Sequence, residues 1–178
     1  MTKKAPSRPA KPSVKTRHSD RLAAHRTWLA RAVAVAQLPI SKGGSPHPTV
    51  QVGAVLVDAK GRKLVESSNR FAEGVDRRRP ERYVDGEKSL WINCAEQLAI
   101  TIAARKGISL KDASLYLTLE PCAPCAGLIV EAGIREVFIP AGALRRYASL
   151  KAKYKRSIEI ALVKLAEAGV RLTAIDAA

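Results

Sequence analysis

Apolar and polar residues alternate along the chain with two periods, one helical and one strand-like. Residues 21–37 place apolar side chains three and four positions apart, which predicts an amphipathic helix that Pro39 terminates. Residues 50–58 are apolar and rich in β-branched side chains and predict a strand, and a turn at 59–61 leads to a second strand over 62–68. Residues 69–91 form a long polar segment, and a connection of this length is typical of a functional or disordered loop.

The second half of the chain alternates helices with strands. The pattern predicts helices over 94–105, 122–132 and 147–168, each followed by a glycine, and strands over 114–119, 136–140 and 170–174. This alternation is typical of an α/β domain, and α/β is therefore the expected fold class. A chain of 178 residues, 47% of them hydrophobic, has the length and apolar content of one domain with a real core.

The distribution of charge divides the chain. Its formal net charge is +15, and residues 1–18 contain six basic residues and no acidic one. We predict that residues 1–18 form a disordered basic tail and residues 19–178 a folded domain. Such a tail either keeps the protein soluble or contacts nucleic acid, and it also resembles an organelle transit peptide. Residues 145–156 form a second basic stretch, which suits a charged helix face or a nucleic-acid contact.

The sequence also indicates where the protein works. No apolar run approaches the length of a membrane span, and the first 18 residues lack the apolar stretch of a secretory signal. The chain has three cysteines, and without a secretory context they favour a reducing cytoplasm and metal binding over disulfide bonds. We therefore expect a cytoplasmic protein that does not enter a membrane.

All three cysteines fall in two motifs. Cys94-Ala95-Glu96 is followed by Pro121-Cys122-Ala123-Pro124-Cys125, which matches the signature of zinc nucleobase deaminases in its all-cysteine form. Catalytic zinc takes three protein ligands and leaves a fourth position for water, and three thiolates fit that number. Cys122 and Cys125 are one helical turn apart, so both sulfur atoms can face the same point. Glu96 is suited to move the protons of a water that zinc has made more acidic.

Local signals predict that both motifs begin helices. Asn93 is a candidate cap for the helix near Cys94, and Pro121 suits the first position of the next helix. Helix N-termini would then direct partial positive charge at the thiolates. The alternatives are buried cysteines without metal, or a structural zinc site whose fourth ligand would have to be one of His18, His25 and His47, all far upstream.

These motifs and their surroundings resemble the cytidine-deaminase-like superfamily, and within it the deoxycytidylate (dCMP) deaminase group. The resemblance covers roughly residues 20–174. It is carried by the zinc motifs and by the segments 52–58, 69–75, 115–122 and 132–134, and the long arginine-rich loop before Cys94 indicates the dCMP group. It implies a three-layer α-β-α fold with a mixed five-stranded sheet and helices on both faces.

The resemblance also implies roles for individual residues. Cys94, Cys122 and Cys125 would bind Zn²⁺, Glu96 would transfer protons, and the Ala95 backbone would help to hold the base. Asn69 matches the position that contacts the sugar, although a turn residue is the alternative. The phosphate would be bound by some of the following basic and polar residues of the long loop: Arg77, Arg78, Arg79, Arg82, Tyr83 and Lys88.

The chain departs from the dCMP group at several positions. The first ligand of the group is usually histidine, and here it is Cys94, so zinc and three thiolates would carry a net charge of −1. Some cytidine deaminases have an arginine after the catalytic glutamate, where this chain has the uncharged Gln97. Around Asn69, Ser68, Arg70 and Ala72 replace the group's tyrosine, glycine and proline, so the sequence makes no prediction of allosteric control by nucleoside triphosphates.

The sequence therefore favours hydrolytic deamination of a cytosine nucleotide, with dCMP giving dUMP and ammonia, by a homo-oligomeric enzyme. One alternative is a base deaminase of single-stranded DNA or RNA that uses the high positive charge to bind its substrate. A nucleoside or modified-base deaminase is a second alternative, and a zinc-stabilised nucleic-acid-binding module without catalysis is a third. Glu96 argues against the last, because a structural zinc site does not need that carboxylate.

Overall fold

In a computed structural model, the described residues are 14–84, 87–143 and 152–176. The helices are α1 (Val14–Ala36), α2 (Lys88–Trp91), α3 (Ala95–Arg105), α4 (Ala123–Glu131) and α5 (Ala152–Glu167). The strands are β1 (Gly53–Val57), β2 (Lys63–Ser68), β3 (Arg70–Phe71), β4 (Ile92–Asn93), β5 (Ser114–Leu117), β6 (Glu136–Pro140) and β7 (Arg171–Ile175). Two short 3-10 helices lie at Ile40–Lys42 and Pro80–Tyr83.

Five of the strands form one mixed sheet in the order β2-β1-β5-β6-β7. Strand β1 is antiparallel to both of its neighbours, whereas β5, β6 and β7 run parallel to one another. The parallel strands are joined by the crossover helices α4 and α5, as parallel pairing requires. The mixed five-stranded sheet and the α/β class expected from the sequence are thus confirmed.

Helices cover both faces of this sheet because successive side chains of the central strands point to opposite sides. Ala54 and Leu56 of β1 belong to the larger core, which contains buried residues of α3, α4 and α5. Val55 and Val57 belong to a second core under α1, together with Leu29 and the aromatic rings of β5 and β6. The arrangement is the three-layer α-β-α fold that the resemblance implies.

Helix α1 approaches the sheet most closely at Gly53. A Cβ atom built on Gly53 would lie 1.9 Å from the carbonyl oxygen of Ala32, so a side chain at this position is sterically excluded. The apolar stretch 50–58 therefore becomes a shorter strand than predicted, because the chain pairs in the sheet only from Gly53 onward. Across the sheet edge, Glu66 of β2 accepts a 2.9 Å hydrogen bond from Arg31 Nε and joins α1 to that strand.

The small ladder formed by β3 and β4 was not predicted. It pairs Arg70 with Asn93 and Phe71 with Ile92 in antiparallel register, so β3 lies within the segment 69–91 that the sequence assigned to a loop and β4 directly follows it. Strands of two residues carry no periodic signal, which explains why the pattern did not indicate them. The ladder brings the residues after Asn69 beside the residue before Cys94.

The termini of the predicted elements shift by a few residues, most of all at α1. This helix begins at Val14 rather than at Arg21, so it includes residues that the sequence assigned to the basic tail. The remaining tail residues, 1–13, lie outside the described residues, as do residues 145–151 of the second basic stretch. Among the residues that are described, no helix combines the length and apolar character needed to cross a bilayer.

Candidate metal centre

The three cysteines and Glu96 converge at one point on the face of the sheet covered by α3 and α4. The three sulfur atoms and a Glu96 carboxylate oxygen all lie within 4.8 Å of one another. Cys94 Sγ and Cys122 Sγ are 4.0 Å apart. Residues 28 positions apart in the sequence therefore offer their donor atoms to one small volume. Such a cluster of soft thiolate donors fits a zinc ion.

Two helix N-termini create this convergence. Cys94 is the N-cap residue of α3 and Cys122 that of α4, and both have the extended backbone typical of this position. The predicted caps are wrong by one residue, since Asn93 belongs to β4 and Pro121 precedes the N-cap, while Pro124 lies in the first turn of α4. Neither cysteine side chain caps its own helix, so both sulfurs remain available to a metal.

The pKa values of the three thiols are shifted because their sulfur atoms lie close together. The pKa of Cys122 is lowered to about 3, chiefly because the Cys125 thiol and the Cys94 thiol donate hydrogen bonds to its sulfur. The pKa values of Cys94 and Cys125 are raised, because each holds its proton in a hydrogen bond to Cys122. The two neighbouring thiols thus favour thiolate at Cys122, which is the form that binds a metal.

Glu96 lies in the first turn of α3 and is almost completely buried, with 4% of its surface exposed. Burial, with a smaller contribution from the negative charge of Cys122, raises the pKa of this carboxyl to about 7. A carboxyl group with a pKa near neutrality can both accept and donate a proton under physiological conditions. A bound dication would lower this pKa, because it stabilises the carboxylate.

The histidines do not join the cluster. His25 packs under α1, where its ring stacks on Phe138 with centroids 4.0 Å apart and contacts the Tyr116 hydroxyl at 3.0 Å. His47 Nδ1 accepts hydrogen bonds from the backbone N–H groups of Thr49 and Val50. His18 lies near the start of α1. Within the described parts of the chain, Cys94, Glu96, Cys122 and Cys125 are grouped closely enough to hold a metal ion, and no histidine is part of that group.

Asn69 is held by the segment that leads into β1. Its Oδ1 accepts from the Val52 N–H and its Nδ2 donates to the Val50 carbonyl, both at 2.8 Å. Only 7% of its surface is exposed. The amide therefore fixes the backbone beside the ladder that leads to Cys94, and its predicted contact with a sugar stays a prediction. Ala95 is fully buried between Cys94 and Glu96.

The arginine-rich loop folds around its own acidic residues. Arg78 and Arg79 both form ion pairs with Asp76, and Arg79 also lies 3.7 Å from Glu81. Arg82 lies over the Trp91 ring, 4.0 Å from its centroid, and donates to the Asp76 carbonyl at 2.6 Å. Arg78, Arg79 and Arg82, three of the arginines predicted to bind phosphate, thus already contact other groups of the protein.

Tyr83, Arg77 and Lys88 complete the set that the sequence proposed. The Tyr83 hydroxyl donates to the Arg77 carbonyl at 2.8 Å. The Arg77 side chain lines a cavity of about 210 Å³ that also contains Arg70, a residue the sequence analysis did not select. Lys88 begins α2, and its side chain lies outside the described residues. The signal for Arg70 was its position directly after Asn69.

A second cavity, of about 300 Å³, lies at the carboxyl ends of the parallel strands. It is lined by Thr118 after β5 and by Pro140 and Ala143 at the end of β6, with Gln37 and Gln51 supplying polar groups from the α1 side. Carboxyl ends of adjacent parallel strands are the usual position for ligands in α/β proteins. Thr118 is four residues before Cys122, so this cavity and the cysteine cluster share one loop.

Two features near the cluster were not anticipated. Ser157 and Lys164 of α5 both contact Ala123, the residue between Cys122 and Pro124. Glu120 is 5% exposed, and neither of its carboxylate oxygens has a hydrogen-bond partner in the described part of the protein. Glu120 therefore does not cap α4, and no hydrogen bond within the described residues explains its burial.

Comparison with known proteins identifies relatives with different substrates. A tRNA-specific adenosine deaminase of Rickettsia bellii is 31% identical over 112 residues, which cover 62% of this chain and 65% of that protein. The deoxycytidylate deaminase of Homo sapiens is 33% identical over 116 residues, 62% of each chain. The chain matches roughly half to two thirds of the length of its curated relatives.

A solved structure resembles the whole fold. The dCMP deaminase from the cyanophage S-TIM5 superimposes with a TM-score of 0.62 at 18% identity, covering 88% of this chain and 98% of that one. The sequence family described as the cytidine and deoxycytidylate deaminase zinc-binding region matches residues 24–141, which include the whole cysteine and glutamate cluster. Since that match spans well over half of the chain and the cluster suits zinc, the protein belongs to the cytidine and deoxycytidylate deaminase family.

Proposed function

We propose that this protein is a zinc-dependent hydrolytic deaminase of a cytosine nucleotide, converting dCMP to dUMP with release of ammonia. The observation that carries the proposal is the meeting of three thiols and one buried carboxyl within 4.8 Å at two helix N-termini. A structural site would need four ligands and no buried carboxyl group. The family and the deoxycytidylate deaminase relatives support the same reaction.

Cys94, Cys122 and Cys125 are proposed as the zinc ligands. Three sulfur donors leave a tetrahedral ion with one position for water or substrate. Zinc, when bound, supplies the Lewis acidity that makes water a better nucleophile at neutral pH. The positive ends of α3 and α4 offset part of the negative charge of three thiolates.

Glu96 is proposed to carry the protons of the reaction. As a carboxylate it takes a proton from the attacking water and delivers it to N3 of the cytosine ring. It then transfers the second proton to the amino group at C4, which leaves as ammonia while the C4 carbonyl forms. Cytosine and water thus give uracil and ammonia with all atoms balanced. The Ala95 backbone and the Asn69 amide are proposed to hold the base and the sugar.

Arg77 is the proposed phosphate-binding residue of the arginine-rich loop. Its side chain lines the cavity that also contains Arg70, whereas Arg78 and Arg79 pair with Asp76. Two arginines lining one cavity suit a phosphate because a guanidinium can donate two parallel hydrogen bonds to it. The Arg82, Tyr83 and Lys88 assignments remain predictions.

The direct test is ammonia release by the zinc-loaded protein from cytidine, deoxycytidine, CMP, dCMP and a single-stranded oligonucleotide. We expect dCMP to be converted with a higher kcat/KM than deoxycytidine. Arg77→Ala is expected to reduce that preference about 10- to 100-fold, the value of a lost charged hydrogen bond, while Arg79→Ala serves as the matched control. Equal turnover of dCMP and deoxycytidine would overturn the phosphate assignment.

A second candidate function is deamination of a base within a polynucleotide. It is favoured by the net charge of +15 and by the similarity to a tRNA-specific adenosine deaminase. Within the second basic stretch, Arg156 pairs with Glu159 at 3.3 Å, which leaves less free charge there than the sequence suggested. Deamination of the oligonucleotide without turnover of any monomer would favour this candidate. Full biological activity of Glu96→Ala would instead indicate a non-catalytic binding module.

We further propose that the enzyme is a cytoplasmic homo-oligomer. A reducing compartment keeps the three cysteines available for zinc. Several apolar side chains on helices remain exposed, including Leu128 at 37% and Val163 at 54%, which is compatible with contact between subunits. Light scattering of the purified protein tests the oligomeric state, and a monomeric mass would contradict it.

A further inference from the structure

The first N–H groups of helix α4 have no acceptor within their own helix. The N-cap position is normally occupied by serine, threonine, aspartate or asparagine, whose oxygen accepts from the first turn. In this protein Cys122 occupies that position and makes no cap hydrogen bond. The Ala123 N–H, the first of the helix, therefore takes its acceptor from another part of the chain.

The missing cap is supplied by α5. Ser157 Oγ accepts the Ala123 N–H at 3.0 Å, in a partly buried position 34 residues away in the sequence. Seven residues further along α5, Lys164 Nζ donates to the Ala123 carbonyl at 3.2 Å. Helix α5 therefore contacts both the N–H and the carbonyl of Ala123, which lies in the turn between Cys122 and Cys125.

The spacing of the two contacts follows from the packing of α5. Residues seven apart lie on the same side of a helix, two turns from each other. Ala161 lies between them on that side and is fully buried, and Leu165 is 1% exposed. The core residues of α5 thus fix its position against α4, and Ser157 and Lys164 extend the contact to the turn that carries Cys122 and Cys125.

We infer that Ser157 is a positioning residue of the metal centre, which sets the orientation of the Cys122–Cys125 turn, with Lys164 as a weaker second contact. This inference rests on the proposed role of Cys122 and Cys125 as zinc ligands. Hydrogen bonds around metal ligands typically change metal affinity 10- to 100-fold when they are removed. Ser157 is half-buried and its bond is shielded, whereas Lys164 is exposed and contributes less.

The test compares zinc affinity in Ser157→Ala, Ser157→Thr and Lys164→Met by competition with a chromogenic chelator. We expect about a tenfold weaker affinity in Ser157→Ala, recovery in Ser157→Thr because the hydroxyl is kept, and a two- to threefold effect in Lys164→Met. Ser114→Ala is the matched control, since its half-buried hydroxyl bonds to Glu136 at the opposite end of β5.

Cobalt substitution provides a readout that a general loss of stability would not change. The thiolate-to-cobalt absorption bands report ligand geometry, and we expect them to shift in Ser157→Ala but not in Ser114→Ala. Both metal-free variants should still unfold cooperatively. Unchanged zinc affinity and cobalt spectrum in Ser157→Ala would overturn the inference. Zinc binding that survives Cys122→Ala undiminished would overturn the ligand assignment instead, so the two failures are distinguishable.

Discussion

Glu96 is an ionisable side chain that is almost completely buried, a combination that is rare in proteins. It is 4% exposed, and its pKa is raised to about 7 by burial, so keeping it there opposes stability. Residues that cost stability in this way are typical of functional sites. Its retention beside three thiols is therefore better explained by proton transfer than by folding.

Replacing this carboxyl tests that account. Glu96→Gln keeps the size of the side chain and removes the exchangeable proton. We expect kcat for the deaminated nucleotide to fall by at least 100-fold, the range for loss of a general acid–base group, while zinc content stays at one per chain. Thermal unfolding should occur at the same or a higher temperature, because a buried ionisable group is lost. A destabilised but active variant would contradict this role.

The three thiols should differ in reactivity once zinc is removed. Cys94 and Cys122 are partly exposed, whereas Cys125 is 1% exposed. With a thiol reagent in the presence of chelator we expect a fast reaction at Cys122, whose pKa is lowered, and slower reactions at Cys94, whose pKa is raised, and at the buried Cys125. In the zinc-loaded protein all three reactions should be slow. Since the chain has three cysteines, the titration is complete at three equivalents. Fast reaction of all three with zinc bound would contradict the ligand assignment.

At the level of residues, the sequence predicted which side chains form the cluster better than it predicted the contacts of the residues around it. The spacing of Cys94, Glu96, Cys122 and Cys125 was enough to predict the cluster because metal coordination limits which residues serve as ligands. Ser157 carried no such signal, since its contact with Ala123 depends on how α5 packs against α4. The arginines of the loop were selected by charge alone, and Asp76 pairs with two of them.

Helix α1 and strand β2 are joined by a carboxylate with a strongly lowered pKa. Hydrogen bonds from Arg31 and Lys63 lower the pKa of Glu66 to about 2. This contact stabilises the fold fully above about pH 4.5, and the contribution is lost as the pH falls from 4.5 toward 2, because the unfolded chain takes up the proton first.

The matching experiment is chemical unfolding of Glu66→Gln and the natural protein across this pH range. At pH 7 we expect the variant to be less stable by about 1–2 kcal/mol, discounted for the partial exposure of both partners. The difference should vanish near pH 2. Other acidic residues with lowered pKa values also contribute in this range, so the comparison with the variant isolates Glu66. A difference that does not depend on pH would contradict the ion-pair explanation.

Two glycines offer a paired test of how the helices approach their neighbours. A Cβ on Gly53 would lie 1.9 Å from the Ala32 carbonyl oxygen, whereas one on Gly127 meets only the end of Lys164 at 3.9 Å. We expect Gly53→Ala to destabilise the protein by about 2–3 kcal/mol, because α1 has to move off the sheet. Gly127→Ala should stabilise it by about 0.5–1 kcal/mol, because alanine favours the interior of a helix. Denaturant unfolding measures both, and equal effects would contradict the packing described.

The elements themselves were predictable wherever a period extended over several residues. Strand β6 has the predicted bounds, and α3 and α4 begin one residue later than predicted because the cysteines act as N-caps. The β3–β4 ladder could not be predicted, since its two-residue strands are formed by contact between distant segments. The local sequence pattern therefore predicted the main helices and strands. The pairing of segments around the site depends instead on contacts between residues distant in the sequence.

For the whole molecule, the resemblance read from the sequence predicted the three-layer architecture. The sequence did not decide which role the net charge of +15 has. The layers follow from helices alternating with strands, and the relatives share this fold. The charge of +15 supports either solubility or binding to a polyanion, and the relatives include both a deoxycytidylate deaminase and a tRNA-specific adenosine deaminase. Only a measurement that separates nucleotide turnover from polynucleotide binding distinguishes the two.

Removal of residues 1–13 provides that measurement. The segment contains Lys3, Lys4, Arg8 and Lys11 and no acidic residue, and the cut lies just before α1. Each phosphate contact to a single strand contributes roughly 0.7 to the slope of log affinity against log salt concentration, so losing four charges lowers the slope by at most about 3. Fluorescence anisotropy with a labelled oligonucleotide at several salt concentrations measures this slope.

If the protein is a nucleotide deaminase, shortening the chain changes only this non-specific binding. The kcat/KM for dCMP should then stay within twofold of the full-length value, because the cluster and the cavity with Arg77 lie in the folded domain. The opposite result, loss of oligonucleotide deamination together with a steep salt dependence and no turnover of dCMP, would assign the charge to substrate binding. That outcome would replace the nucleotide by a polynucleotide as the substrate while leaving the zinc chemistry of the site unchanged.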